Sequence, residues 1–305
     1  MSRTNPRLVT PTGIGTFAKL KGVAAAAGRP TDLVAQRFAM EAAIRRIFAS
    51  DHADRFGVTT SLKGGALMFF AEGVDPVHGR TTSDIDLQLT GWQGTMDDLK
   101  TALQEALATV PGVDDGVRFD VEALQVTGTR EHGIPGGTVT TSVQIGNAVM
   151  KFKADVGFYA PELADTLVEV DYPSLLPSLP PIRIMRQPVE YSIADKVHAA
   201  VKHAGTNTRL RDYYDLFVYA TKCTIDDDRL REAFERTWRL FDDAVPGSID
   251  DLSSYSDRFA VENEAAWAAL RARSSWAVDV PDLATVIGTI KDRVGGPMAT
   301  SGLFL

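Results

Sequence analysis

Cysteine is nearly absent: the 305 residues include one, Cys223. A single thiol cannot build a disulfide framework, and it excludes zinc sites that need several cysteines. Five scattered histidines leave little from which to build a metal site of imidazoles. No stretch approaches the roughly 20 apolar residues that span a bilayer, so no membrane partner is expected. The first twelve residues carry Arg3 and Arg7 but no apolar core of the kind a signal peptide needs. Positive charge is also short: 32 Lys and Arg stand against 40 Asp and Glu, a net charge of −8. That balance argues against a protein coated in nucleic acid by bulk charge, though a local basic site is compatible with it. A cytoplasmic location fits these absences.

What is present is an ordinary globular composition. Hydrophobic residues make up 44% and charged residues 24%, near the usual values of about 45–50% and about 25%. At roughly 150 residues per domain, the length allows one large or two modest domains. No internal repeat or low-complexity tract occurs.

The spacing predicts a helix over Thr31 to Phe48, capped by Thr31 or Asp32, with Gly57 breaking the pattern beyond it. Val58 to Leu62 is β-rich, Lys63-Gly64-Gly65 reads as a turn, and Ala66 to Phe70 as the start of a helix. After a Gly/Pro loop, Ile85, Leu87 and Leu89 alternate with Asp84, Asp86 and Gln88, the period of a strand. Met96 to Thr109 is a predicted helix. Val117 to Thr127, Thr138 to Ile145 and Val149 to Phe158 are predicted strands, the last two joined by a Gly146-Asn147 hairpin turn. Tyr172 to Pro188, with five prolines, reads as a connector. Helices follow over Val189 to Ala204, Leu210 to Lys222, Asp226 to Phe241, Asp257 to Arg273 and Pro281 to Val294. The expectation is an α/β (α+β) chain: a small mixed β-sheet covered by helices over residues 1–187, then a helical domain over 188–305.

The chemistry concentrates in the first part. Asp84 and Asp86 are two apart on a predicted strand and so share a face. Paired carboxylates repel, and a hard divalent cation such as magnesium resolves the conflict. Alone, the motif would equally suit the solvent face of an edge strand. Asp155, on a later predicted strand, completes a possible set of three, an arrangement able to hold metal ions for in-line nucleotidyl displacement. Gly64-Gly65, between a strand and a helix, would let backbone amides approach phosphate. Lys63 could reach a phosphate or be a plain strand-end lysine.

Leu62-Lys63-Gly64-Gly65-Ala66-Leu67 followed by Arg80-Thr81-Thr82-Ser83-Asp84-Ile85-Asp86-Leu87 resembles the nucleotidyltransferase superfamily, and within it the AbiEii abortive-infection toxins and the similar MenT toxins. The gap from Gly65 to Asp84, 19 positions (84 − 65), is longer than in many members, and Ala71 to Gly79 would be an inserted loop. Ile193-Ala194-Asp195-Lys196-Val197-His198-Ala199 resembles the family's helix with an acidic-Lys pair, with Asp195 where Glu is usual. Arg211-Asp212-Tyr213-Tyr214-Asp215-Leu216-Phe217 resembles its Arg-Asp-x-x-Asp-Leu helix.

The resemblance implies a nucleotidyltransferase fold and magnesium-dependent transfer of a nucleoside monophosphate from an NTP to an acceptor hydroxyl. The acceptor would be an RNA, at the 3′ end of a tRNA, with a cognate antitoxin protein as partner. Asp84, Asp86 and Asp155 would hold metal; Lys63, Gly64, Gly65, Arg80, Ser83, Lys196 and Arg211 would bind the nucleotide; Lys196 and Asp215 would join the carboxylates as catalytic residues. Ser83, as the strand neighbour of Asp84, would point the other way, which favours an edge role. Lys196 falls on the apolar stripe of its helix, where a lysine either snorkels or is held in a site. Arg211 and Asp215, four apart, would share a face, as an ordinary ion pair or as support for Lys196. The basic residues between Lys196 and Arg211 could meet an RNA backbone or be a solvated helix end. Two alternatives stand beside this reading: an enzyme of the same fold acting on a protein or a small-molecule antibiotic, and a non-catalytic nucleotide-binding protein.

Overall fold

The computed structural model describes residues 5–50, 58–131, 134–202, 209–274 and 276–301. The chain forms two compact units, one of Met1–Leu67 with Asp75–Gln187, the other of Met68–Val74 with Pro188–Leu305.

The first unit is built on a mixed sheet of β1 (Thr59–Lys63), β2 (Ile85–Thr90), β3 (Val117–Phe119), β4 (Gln125–Glu131), β5 (Ile134–Ile145), β6 (Ala148–Tyr159), β7 (Val168–Tyr172) and β8 (Ile182–Arg186). Their order is β3-β5-β6-β2-β1-β8-β7, with β4 on the other part of β5. The pairs β2–β6 and β1–β8 are parallel and the rest antiparallel. Alternation gives the central strands two unlike faces. Leu62, Ile85, Leu87, Phe152, Ala154 and Val156 are buried on one. Ile47 of α2 (Thr31–Phe48) and Leu99 and Leu103 of α4 (Met96–Ala108) close over Leu87, Leu89 and Val156 on that face. The opposite face carries the half-buried Lys63, Asp86 and Asp155.

Several local readings need correction, the cap of α2 among them: its N-cap is Pro30, with no side-chain cap bond. A helix not expected from the sequence, α1 (Pro11–Ala26), starts behind a Thr10 cap with Pro11 in its first turn. Its Gly13 lies flat on the backbone of Gly116 and Gly146, where a Cβ would meet Gly116 O and Gly146 N, each at 2.7 Å. The single strand expected over Val117 to Thr127 is interrupted by a 3-10 turn, Val121–Ala123, because the Asp120 side chain accepts from Ala123 N. The proline-rich connector contains β8, whose Leu62–Arg186 pairing makes it a neighbour of β1. Its prolines flank the strand rather than interrupt it, so its donors stay available.

The second unit is helical: α3 (Met68–Glu72), α5 (Val189–Lys202), α6 (Leu210–Lys222), α7 (Asp227–Leu240), α8 (Asp257–Arg273) and α9 (Leu283–Ser301). Residues 203–204 of the expected α5, like Gly57, lie outside the described residues. α9 runs beyond the expected end at Val294 and contains Pro297. Tyr213, Tyr214, Phe234, Trp238 and Trp267 form its core. The Tyr214 hydroxyl donates to Glu72 of α3. Ala71 to Gly79 is thus no simple loop: its start is helical, and Met68–Val74 joins the second unit before the chain returns at Asp75. No helix among the described residues is long and apolar enough to cross a membrane.

Candidate active site

Four strands place four polar side chains in one row across the sheet. Asp86 on β2 pairs with Lys63 on β1 and, in the parallel ladder, with Asp155 on β6. Asp155 pairs in turn with Thr138 on β5. Directly paired residues project to the same face, so Thr138, Asp155, Asp86 and Lys63 stand side by side. The row sits in the interior of the sheet, where both edges of each strand are hydrogen-bonded and the backbone has little freedom.

The glycine turn meets this row at β1. Gly64 has φ +71°, and a methyl group there would fall inside the Asp86 carboxylate. Glycine is required twice over at this position, by conformation and by space. A Cβ on Gly65 would come within 2.9 Å of Thr82 Oγ1 and 3.1 Å of Arg80 Nη2. Arg80 is therefore not a solvated loop residue: it is buried, lies against the glycine turn and donates to Thr81 O at 3.1 Å. Gly64→Ala should cost about 1–2 kcal/mol of stability from the left-handed backbone alone. It should cost far more in activity, since it must displace Asp86. Thermal melts beside activity assays would separate the two effects.

Asp84 lies in the bend just before β2, not on the strand, and Ser83 beside it is exposed. Asp84 nevertheless reaches the same neighbourhood as Asp155, because both approach Lys153. Lys153 Nζ is 2.5 Å from Asp155 Oδ2 and 3.4 Å from Asp84 Oδ2. The other oxygen of each carboxylate is held by a threonine. Thr82 Oγ1 donates to Asp84 Oδ1 at 3.0 Å, and Thr138 Oγ1 to Asp155 Oδ1 at 2.7 Å. Burial works against the Lys153 charge, but the hydrogen bond and charge of Asp155 and the charge of Asp84 outweigh it and hold its pKa above the ordinary lysine value. At the other end of the row, Lys63 Nζ donates to Tyr159 Oη at 2.7 Å.

Sequence reasoning missed Lys153, Thr138 and Tyr159. Lys153 and Tyr159 lie two and four positions from Asp155 on β6, hence on its face, a signal that strand period alone provides.

In the second unit, Lys196 pairs with Asp212 at 2.8 Å and with Asp215 at 2.7 Å. Asp215 has 0% side-chain exposure, Lys196 14%. Arg211 is exposed and makes no ion pair among the described residues. The basic stretch is partly neutralised from within: His198 and Lys202 both contact Asp243, at 2.8 and 2.7 Å. His198 is buried, stacks on Phe241, and is pushed below the ordinary histidine pKa by burial despite Asp243.

A family model described as nucleotidyl transferase AbiEii toxin, type IV toxin–antitoxin system, matches residues 42–284, well over half of the chain. The chain belongs to the AbiEii toxin family. Among solved structures, JHP933 from Helicobacter pylori is similar at 13% identity and a TM-score of 0.50, over 89% of this chain and 94% of that one. A candidate nucleotidyltransferase from H. pylori is similar at 12% identity and a TM-score of 0.48, over 89% and 96%. The JHP933 likeness speaks for the fold alone. No curated protein matches.

For an AbiEii family member, a divalent metal is the expected helper, and the donor set fits a hard cation. The candidate ligands Asp84, Asp86 and Asp155 supply oxygen only, and oxygens of Asp84 and Asp155 already converge on one positive charge, the Lys153 ammonium. No three His, Cys, Asp or Glu side chains among the described residues gather closely enough to enclose an ion.

Proposed function

We propose that this AbiEii family member is a toxin that transfers a nucleoside monophosphate from an NTP to an RNA hydroxyl, at the 3′ end of a tRNA, releasing pyrophosphate and blocking translation until its antitoxin intervenes. The observation that carries the reading is the row of Asp155, Asp86 and Lys63 with the Gly64 turn pressed against Asp86. A turn of small residues beside fixed carboxylates suits a triphosphate, with backbone amides toward phosphate oxygens and carboxylates toward its counter-ion.

In this reading Asp84, Asp86 and Asp155 hold magnesium. When bound, it would offset triphosphate charge and favour the attacking alkoxide. Thr82 and Thr138 orient Asp84 and Asp155 through their hydrogen bonds. Gly64 and Gly65 accept the phosphates, and Lys63 and Arg80 add positive charge beside them. Ser83 is exposed at the bend and would belong to the segment that binds the nucleotide. Asp155 takes the proton of the acceptor hydroxyl. Lys196, ordered by Asp215, and Arg211 serve the triphosphate or the RNA end.

The decisive experiment offers labelled NTPs with magnesium to tRNA, bulk protein and an aminoglycoside in separate reactions. Label on the tRNA 3′ end is the expected result. Label only on protein or drug would move the chain to another acceptor class. No label on any of them, with no magnesium-dependent nucleotide binding, would leave a non-catalytic protein.

A further inference from the structure

Lys153 has no role in the proposed transfer reaction, yet it lies between two of the candidate ligands, Asp84 and Asp155. Its ammonium is 2.5 Å from Asp155 and 3.4 Å from Asp84. Thr138 and Thr82 hold the remaining oxygens, so the two carboxylates are turned to present their other oxygens to this one positive charge. The backbone of Lys153 is fixed in the β5–β6 ladder opposite Thr140. Its side chain is 38% exposed, and the flexible four-carbon stem can carry the charge elsewhere without disturbing the sheet.

We propose that Lys153 is a resident counter-ion of the metal site, a positioning residue that keeps Asp84 and Asp155 aligned before metal arrives and couples metal binding to triphosphate binding. The inference rests on the assignment of Asp84 and Asp155 as metal ligands. A magnesium ion bound to these two oxygens, at about 2.0–2.1 Å from each, would set two more positive charges beside the ammonium that already contacts them, and like charges at that separation repel. The lysine must leave, and it then loses both its anionic partners. Metal alone therefore binds against this competitor. A triphosphate changes the balance, because it offers the displaced ammonium a new anion. By linkage, nucleotide then tightens metal and metal tightens nucleotide by the same factor.

The test is direct titration of manganese, followed by the resonance of the unbound ion, on wild type, Lys153→Met and Lys153→Arg, each with and without a non-hydrolysable NTP analogue. Lys153→Met should bind manganese alone about tenfold tighter than wild type and gain less from nucleotide, a coupling within the usual allosteric range. Lys153→Arg, which keeps the charge, should behave as wild type. If Lys153→Met is unfolded by circular dichroism, Lys153→Gln makes the same comparison. Equal or weaker manganese binding without the charge, in a protein whose wild type binds manganese, would overturn the proposal and leave the metal assignment standing. Manganese binding that is absent, or that is untouched by Asp84→Asn, would overturn the assignment and the proposal with it.

Discussion

Asp86→Asn is expected to abolish nucleotidyl transfer and to relieve growth arrest in a host without the antitoxin, with the fold intact. Asn has nearly the shape of Asp, and residue 86 sits in two ladders whose backbone bonds ignore the side chain. What disappears is one negative charge from the middle of the row. If that carboxylate holds a metal, its loss should raise the barrier by about 4 kcal/mol, roughly a thousandfold in rate. Asp84→Asn should act in the same direction. Thr138→Val, which removes only the hydrogen bond that orients Asp155, should cost much less, about tenfold. Growth curves, a labelled-nucleotide assay and a melting curve on each variant would decide. An Asp86→Asn protein as toxic as the wild type would end the metal assignment.

Lys196→Ala should do two kinds of damage that have to be separated. Asp215 is wholly buried and paired with Lys196, and breaking a buried ion pair costs about 3–5 kcal/mol. A fall of about 10 °C in the melting temperature is the expected scale for a helical unit of this size. Lys202→Ala, whose side chain is 42% exposed, should cost no more than about 1 kcal/mol. Lost activity in Lys196→Ala alone would therefore prove little. The informative protein is Lys196→Met with Asp215→Leu, which removes both charges and should recover most of the stability. If Lys196 serves phosphate, the double variant stays inactive although folded. Recovered activity would reduce the pair to a structural ion bridge.

The carboxylates, the glycine turn and most of the helices were legible in the sequence because each is a local pattern. Asp86 stands between Ile85 and Leu87 in the period of a strand, whereas Asp84, read as part of that strand, lies in the bend before it; α7 opens with its own Asp226 cap. The Thr138–Asp155 contact is not local, yet it was within reach. From the Gly146-Asn147 turn, each step back from Ile145 is matched by one forward from Ala148, and seven steps bring Thr138 opposite Asp155. The parallel pairing of Asp86 with Asp155 had no such anchor, since no turn joins β2 to β6 and their register is set only in the folded sheet. β8 was hidden by its flanking prolines, although Ile182 and Ile184 alternate with Arg183 in the period of a strand. α1 was hidden by Gly13, Gly15 and Gly22, poor helix formers. The close approach of Gly13 to Gly116 and Gly146 gives one of them a purpose that only tertiary structure reveals.

The row also has a timetable. Asp86 cannot meet Asp155 until the ribosome has added 69 further residues (155 − 86), and β1 gains its outer neighbour only when Arg186 has been made. At about 5–20 residues per second, a nascent chain spends seconds with its glycine turn and first two carboxylates already synthesised but unable to act together. A truncated translation product ending before β6 would lack Asp155 and with it the row. If the row is the active site, activity waits until most of the first unit has been synthesised, and that delay is written into the strand order rather than into any single residue.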